Sequence, residues 1–163
     1  MFKAAIITAS DKGAQGQRED ISGQVIREIL EANGYEIVHQ VILPDDRAML
    51  ASEMKQLCDE AKADLILTTG GTGFSPRDWT PEATLDVVER LVPGIPEAMR
   101  YASLQITKRA MLSRAVAGIR KQTLIINLPG SPKAVRENLE YVITELAHGL
   151  EILRGEAGEC ARK

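Results

Sequence analysis

A glycine-rich segment, Gly70-Gly71-Thr72-Gly73, is the part of the sequence best suited to chemistry. Glycine permits backbone angles that other residues avoid, so consecutive N–H groups can turn inward and surround an anion. Asp78 follows shortly after, and a carboxylate beside a bound anion can hold a divalent cation. Taken alone, the glycines fit a tight turn equally well, and Asp78 fits a solvated loop acid. Together they predict a site for a phosphorylated ligand and a metal.

The segment lacks the features of two common phosphate-binding loops. No Gly-Lys-Ser/Thr follows the glycines, as a P-loop requires, and Pro76 occupies the third glycine position of a dinucleotide-binding fingerprint. Most ATPases of the P-loop type and most nicotinamide-dependent dehydrogenases are therefore disfavoured.

A second acidic group lies at Pro44-Asp45-Asp46. One of the two aspartates is expected to cap the helix that follows, because aspartate is a favoured N-cap residue. The other is then free to bind a cation with water ligands, as magnesium prefers. We favour Asp45 for the metal, which makes Asp45 and Asp78 the predicted pair of metal-binding carboxylates.

A third candidate segment runs from Asn127 to Lys133, between a predicted strand and a predicted helix. The exposed N–H groups of a first helical turn, with Ser131 and Lys133 nearby, would suit a phosphate. A Pro-Gly turn with an N-cap explains the same shape, and both interpretations stay open.

The loop from Ser10 to Gly23 is either part of a site or a capped polar loop. The basic group from Arg114 to Lys121 is typical of a solvated hairpin, with an anion clamp as the alternative.

Alternating strands and helices must position these segments. The predicted strands cover residues 4–8, 35–43, 65–69, 115–119 and 123–128. The predicted helices run from 21 to a stop at Gly34, over 44–60, over 81–91 with Thr80 as the N-cap, from 96 onward, and over 131–154. This order predicts an α/β protein with a mostly parallel sheet and helices on both faces, a three-layer α/β/α arrangement. Such sheets bind ligands at the carboxyl ends of their strands, where all the candidate loops lie, so one shared site is predicted.

The composition favours an ordinary single-domain protein. The chain has 163 residues, 44% of them hydrophobic and 26% charged, which predicts one domain over residues 1–154 with a mobile tail over 155–163. A net charge of −3 argues against a nucleic-acid partner. The absence of a long apolar run or secretion signal argues against a membrane partner. Cys58 and Cys160 are expected to be free thiols in a reducing cytoplasm.

Five ordered motifs resemble the molybdopterin adenylyltransferase family, whose members share the molybdopterin-binding fold. They are Ser10-Asp11 with Asp20-Ile-Ser-Gly23, Pro44-Asp45-Asp46, Thr69-Gly-Gly-Thr-Gly73 with Arg77-Asp78-Trp-Thr-Pro-Glu-Ala83, Ser113-Arg114-Ala-Val-Ala-Gly118 and Asn127-Leu-Pro-Gly-Ser-Pro-Lys133. The resemblance covers about residues 2–153. The Ser131-Pro132-Lys133 continuation favours the adenylyltransferase branch over a paralogous branch that has a different segment there.

The resemblance implies a cytoplasmic, usually trimeric enzyme of molybdenum cofactor biosynthesis. It implies transfer of AMP from ATP to the terminal phosphate of molybdopterin, with Mg²⁺ as cofactor and Asp45 and Asp78 as catalytic and metal-binding residues. A further candidate partner is the molybdenum-insertion enzyme. The predicted substrate- and nucleotide-binding residues are Ser10, Asp11, Asp20, Gly70, Gly71, Thr72, Gly73, Asn127, Pro129, Gly130, Ser131 and Lys133. The alternatives are a non-catalytic molybdopterin carrier and an unrelated nucleotide-binding regulator.

Overall fold

The computed structural model describes residues 1–156 as a single sheet flanked by helices. The strands are β1 (Lys3–Ala9), β2 (Glu36–Leu43), β3 (Leu65–Thr69), β4 (Arg90–Leu91), β5 (Ala117–Arg120) and β6 (Thr123–Leu128). The α-helices are α1 (Asp11–Ala14), α2 (Ile21–Ala32), α3 (Arg47–Asp59), α4 (Thr80–Val87), α5 (Gly94–Leu104) and α6 (Pro132–Leu153), and a 3₁₀ helix covers Lys108–Leu112. Most of the predicted mobile tail, 157–163 with Cys160, lies outside the described residues.

The sheet has the strand order β2-β1-β3-β6-β5-β4. β2, β1, β3 and β6 are parallel, and β5 and β4 continue the sheet in antiparallel pairing. The predicted α/β class with a mostly parallel sheet is therefore confirmed. β1 has β2 on one side and β3 on the other. The chain therefore adds β2 towards one edge of the sheet and then adds β3 towards the opposite edge. This switch point is where such sheets bind ligands.

Both faces of the sheet are covered, because its central strands are apolar on both sides. One core contains Ile26 and Leu30 of α2, Met99 of α5 and Leu139 of α6. The other contains apolar residues of α3 and α4, including Met54. None of the helices in residues 1–156 has the length and apolarity needed to cross a membrane.

The helix boundaries follow local capping signals. Asp20 begins α2 by accepting a hydrogen bond from Gly23 N at 2.9 Å, and Gly34 follows its end at φ +82°. Ser131 caps α6 by accepting from Ala134 N at 3.2 Å. Cys58, predicted to be a free thiol, is free and buried in α3, and burial raises the pKa of its thiol to about 11.

Two local predictions around α4 were wrong. The helix predicted over 81–91 ends at Val87, because the next residues pair with β5 as strand β4: Glu89 N donates to Ile119 O at 2.8 Å, and Val92 N donates to Ala117 O at 2.9 Å. Thr80, predicted as the N-cap, instead lies within the first turn and is fully buried. Trp79 takes the cap position without a side-chain hydrogen bond.

Candidate active site

A cleft of about 650 Å³ opens at the switch point, beyond the carboxyl ends of β1 and β3. It brings together residues from four loops that are distant in sequence. The predicted site residues that line it are Ser10, Asp20, Asp45, Gly70, Gly71, Asp78, Gly130 and Ser131. Two hydrogen bonds join segments around the cleft, from Ser22 Oγ to Gly130 O at 2.6 Å and from Thr69 Oγ1 to Pro129 O at 2.6 Å.

The glycine loop begins with two residues in the left-handed backbone region. Gly70 and Gly71 adopt φ values of +88° and +71° in succession. A Cβ at Gly70 would lie 2.4 Å from Ala9 O, so only glycine fits between the ends of β1 and β3. The N–H groups of residues 71–74 donate no hydrogen bond within residues 1–156. The loop therefore offers several consecutive donors to a ligand.

Arg114 stabilises the glycine loop through hydrogen bonds to its carbonyl groups. Its Nε donates to Gly73 O at 2.7 Å, and its Nη2 donates to Asp78 O at 2.7 Å. Nη1 forms an ion pair with Glu82 in α4, and the backbone N–H donates to Thr72 O at 2.9 Å. Arg114 thus organises the loop and is not part of a solvated hairpin. The sequence showed this residue within a motif, but not its partners.

Asp11, Asp45 and Arg77 form a connected acidic network. Asp11 N donates to Asp45 Oδ2 at 3.1 Å, and Asp45 N donates to Asp11 Oδ1 at 2.9 Å. Arg77 binds both oxygens of Asp11, at 3.0 and 2.9 Å, and this pairing lowers the pKa of Asp11. Burial raises the pKa of Asp45, and the charges of Asp11 and Asp78 raise it further, although the hydrogen bond from Asp11 N opposes them. Asp45 is thus the acid of this network whose charge is least compensated by the protein.

The surroundings of Asp45 and Asp78 fit the proposed metal role. Asp46 caps α3 by accepting from Met49 N at 2.8 Å, so Asp45 is not the capping aspartate. Asp78 Oδ2 accepts from Ser75 N at 2.9 Å. Oδ1 of Asp45 and Oδ1 of Asp78 accept no hydrogen bond in the described part of the chain. No group of three or more His, Cys, Asp or Glu side chains within residues 1–156 is arranged to hold a metal. Two carboxylates suffice for Mg²⁺ when water and substrate phosphates complete its coordination.

Six predicted site residues do not line this cleft, and one of them, Asn127, is buried in the core. Thr72, Gly73 and Pro129 line a smaller neighbouring cavity of about 290 Å³. Asp11 contacts Asp45 from outside the cleft, and the exposed Lys133 borders neither cavity.

Asn127 is fully buried among polar groups in the core. Its Nδ2 donates to Thr68 Oγ1 at 3.0 Å and to Thr84 Oγ1 at 2.9 Å, and its Oδ1 accepts from Val116 N at 3.2 Å. This side chain joins β6 to β3, α4 and the segment before β5, and none of its polar atoms is available to a ligand.

We therefore expect Asn127→Ala to lower the free energy of unfolding by about 2–3 kcal/mol, because it leaves buried partners unsatisfied. Urea unfolding measures this loss, and the apparent substrate affinity of the remaining folded protein should not change. Normal stability combined with weakened substrate binding would instead assign Asn127 to a ligand.

Asp45→Asn should produce a folded protein at least as stable as the wild type at pH 7. The folded-state pKa of Asp45 lies above its ordinary value of 3.8, so ionised Asp45 opposes folding at neutral pH, and this penalty disappears as the pH falls below 3.8. We expect a gain below about 1 kcal/mol, since partial exposure screens the charge. Thermal unfolding at pH 7 and pH 3 should show the gain only at pH 7. A clear loss of stability at pH 7 would contradict this electrostatic assignment.

The sequence and the fold both have close relatives among known proteins. Residues 5–148 match the family described as "probable molybdopterin binding domain". The molybdopterin adenylyltransferase of Helicobacter pylori strain J99 is 43% identical over 153 residues, which are 92% of this chain and 86% of that protein. The molybdopterin adenylyltransferase of Escherichia coli K12 is 41% identical over 144 residues, 86% of this chain and 73% of that protein. The crystal structure of the molybdopterin biosynthesis enzyme MoaB from Thermus thermophilus matches with a TM-score of 0.90 and 46% identity, over 98% of this chain and 100% of that one.

Proposed function

The chain belongs to the family of probable molybdopterin-binding domains, and we propose that it is a molybdopterin adenylyltransferase acting in molybdenum cofactor biosynthesis. The relatives that carry this name match most of the chain, and the family match over residues 5–148 includes every loop of the cleft. The observation that carries the proposal is the meeting of Asp45 and Asp78 with Gly70 and Gly71 of the glycine loop in one cleft. A glycine loop with unused backbone donors beside two carboxylates from different loops suits a reaction between phosphates.

In the proposed reaction, an oxygen of the terminal phosphate of molybdopterin attacks the α-phosphorus of ATP. A new P–O bond forms there, and the bond from the α-phosphorus to the oxygen bridging to the β-phosphorus breaks, so pyrophosphate leaves with that electron pair. No covalent bond to the protein is needed, because positioning and charge stabilisation can carry phosphoryl chemistry. This agrees with a cleft lined by carboxylates, hydroxyls and backbone amides.

Different residues of the site would bind the phosphates, hold the metal and position the glycine loop. The unused N–H group of Gly71, which lines the cleft, would donate to a phosphate, and Gly130 with Ser131 would provide a second contact surface beside the start of α6. Asp45 and Asp78 would hold Mg²⁺, which supplies positive charge that neutralises the ATP phosphates and the departing pyrophosphate. Arg114 keeps the glycine loop and Asp78 in fixed relative positions.

Three further parts of the proposal rest on the resemblance to the family. We propose a homotrimer, a cytoplasmic location and a contact with the molybdenum-insertion enzyme. Sedimentation at micromolar concentration tests the first, and a purely monomeric species would contradict it.

The experiment that tests the function measures pyrophosphate release from ATP, with molybdopterin and Mg²⁺ each present or omitted. An adenylyltransferase releases pyrophosphate only when both are present. A carrier binds molybdopterin but releases none, and a nucleotide-binding regulator binds ATP without binding the pterin. Either of the last two results would replace the proposed function.

A further inference from the structure

The cleft has an unbalanced charge for a site that must accept polyanions. Four acidic side chains line it, those of Glu19, Asp20, Asp45 and Asp78. Arg18 is the only lysine or arginine among the described residues that line it. ATP and the molybdopterin phosphate both carry several negative charges, so a cation in the cleft affects their binding strongly.

The other basic residues near the site are already engaged or lie elsewhere. Arg77 is bound by both carboxylate oxygens of Asp11. Arg114 is held by carbonyl groups of the glycine loop and by Glu82. Lys133, the cation that the sequence favoured, does not line the cleft.

Arg18, by contrast, is free to bind a ligand. It forms no hydrogen bond or ion pair with the described residues, and it is exposed on the segment between α1 and α2. The backbone on either side is fixed, because Gln17 N donates to Lys12 O at 2.9 Å and Asp20 caps α2. The guanidinium is thus attached to an anchored segment while its five N–H donors remain unused.

We propose that Arg18 binds a phosphate group of one of the two substrates, with its guanidinium paired to the phosphate oxygens. This inference rests on the proposed adenylyltransferase function for the identity of the anion. It adds a substrate-binding residue on the α1–α2 segment, facing the same cleft as the glycine loop and the two catalytic aspartates. The phosphate belongs either to ATP or to molybdopterin, and kinetics with each substrate varied separately distinguishes the two.

The test compares Arg18→Ala and Arg18→Lys with the matched control Lys12→Ala. Lys12 is exposed on the neighbouring α1 and does not line the cleft. We expect Arg18→Ala to raise KM about tenfold for the substrate whose phosphate it binds, as loss of a charged hydrogen-bonding contact does, with kcat changed less than about twofold. Arg18→Lys should recover part of the loss, and Lys12→Ala should match the wild type.

Binding of inorganic tripolyphosphate, measured by calorimetry, provides a readout that does not depend on catalysis. We expect weaker binding to Arg18→Ala than to Lys12→Ala if the contact is with the ATP phosphates. Unchanged KM values for both substrates together with unchanged tripolyphosphate binding would overturn the inference, even if the wild type transfers AMP. A wild type that transfers no AMP would overturn the proposed function, while weaker tripolyphosphate binding by Arg18→Ala would still support the anion contact.

Discussion

Asp78→Asn should lower the rate of AMP transfer by about 100- to 1000-fold while leaving molybdopterin binding nearly unchanged. The substitution removes one negative charge from the cleft and keeps the shape of the side chain. The amide oxygen of asparagine can still accept from Ser75 N, the hydrogen bond that Asp78 Oδ2 makes at 2.9 Å. The loop should therefore keep its conformation and lose its ability to hold a cation beside the phosphates. Pyrophosphate release measures the rate, and pterin fluorescence measures binding.

Asp46→Asn is the matched control for this prediction. Asp46 is also an acid near the cleft, but its carboxylate caps α3, and asparagine caps helices equally well. We expect its activity to remain within about twofold of the wild type, since capping preferences of the two residues are similar. If Asp78→Asn kept more than about a tenth of the wild-type rate, a loss much smaller than the range for such groups, Asp78 would have no essential charge role.

Gly70→Ala should prevent stable folding or lower the free energy of unfolding by more than about 3 kcal/mol, a loss typical of severe backbone strain. Gly70 has φ +88°, and the added Cβ would lie 2.4 Å from Ala9 O. This neighbour is a backbone atom of β1, so no side-chain rotation can relieve the contact. The ends of β1 and β3 would have to separate, which would open the cleft. Denaturant unfolding, with circular dichroism as the signal, measures the loss.

Gly16→Ala separates the effect of backbone angle from that of close approach. Gly16 has a similar φ of +72°, but a Cβ there meets no atom within 4 Å. We expect a cost of about 1–2 kcal/mol, the usual cost of the left-handed conformation for a residue with a side chain. Equal losses for the two variants would show that the contact between Gly70 and Ala9 is unimportant.

Strand ends and helix caps, which depend on residues close together in the sequence, were predictable from the sequence. The strand predicted over 65–69 is the observed β3, because a short run of aliphatic residues and threonines ends at a glycine that must turn. The capping roles of Asp20 and Ser131 follow from residue type and position before a helix. The same reasoning assigned the cap near Pro44 to one of two aspartates, and the structure places it on Asp46.

Contacts between residues that are far apart in the sequence were not predictable. Arg114 contacts Gly73 and Asp78, residues 41 and 36 positions away in sequence, and no local pattern indicates that pairing. Asn127 was predicted to bind a substrate as part of the 127–133 motif, but its partners Thr68 and Thr84 become neighbours only in the folded sheet. α4 ends early for the same reason, because β5 offers strand pairing that the helical pattern cannot reveal.

The most direct test is to identify the product that the wild-type protein forms from molybdopterin and ATP. Mass spectrometry of the pterin after incubation with Mg²⁺ should show molybdopterin carrying one added AMP group, with one pyrophosphate released for each. Over the same incubation time, Asp78→Asn should leave most of the pterin unmodified though still bound. Wild-type protein that binds molybdopterin tightly but leaves it unmodified in the presence of ATP and Mg²⁺ would contradict the proposed enzyme.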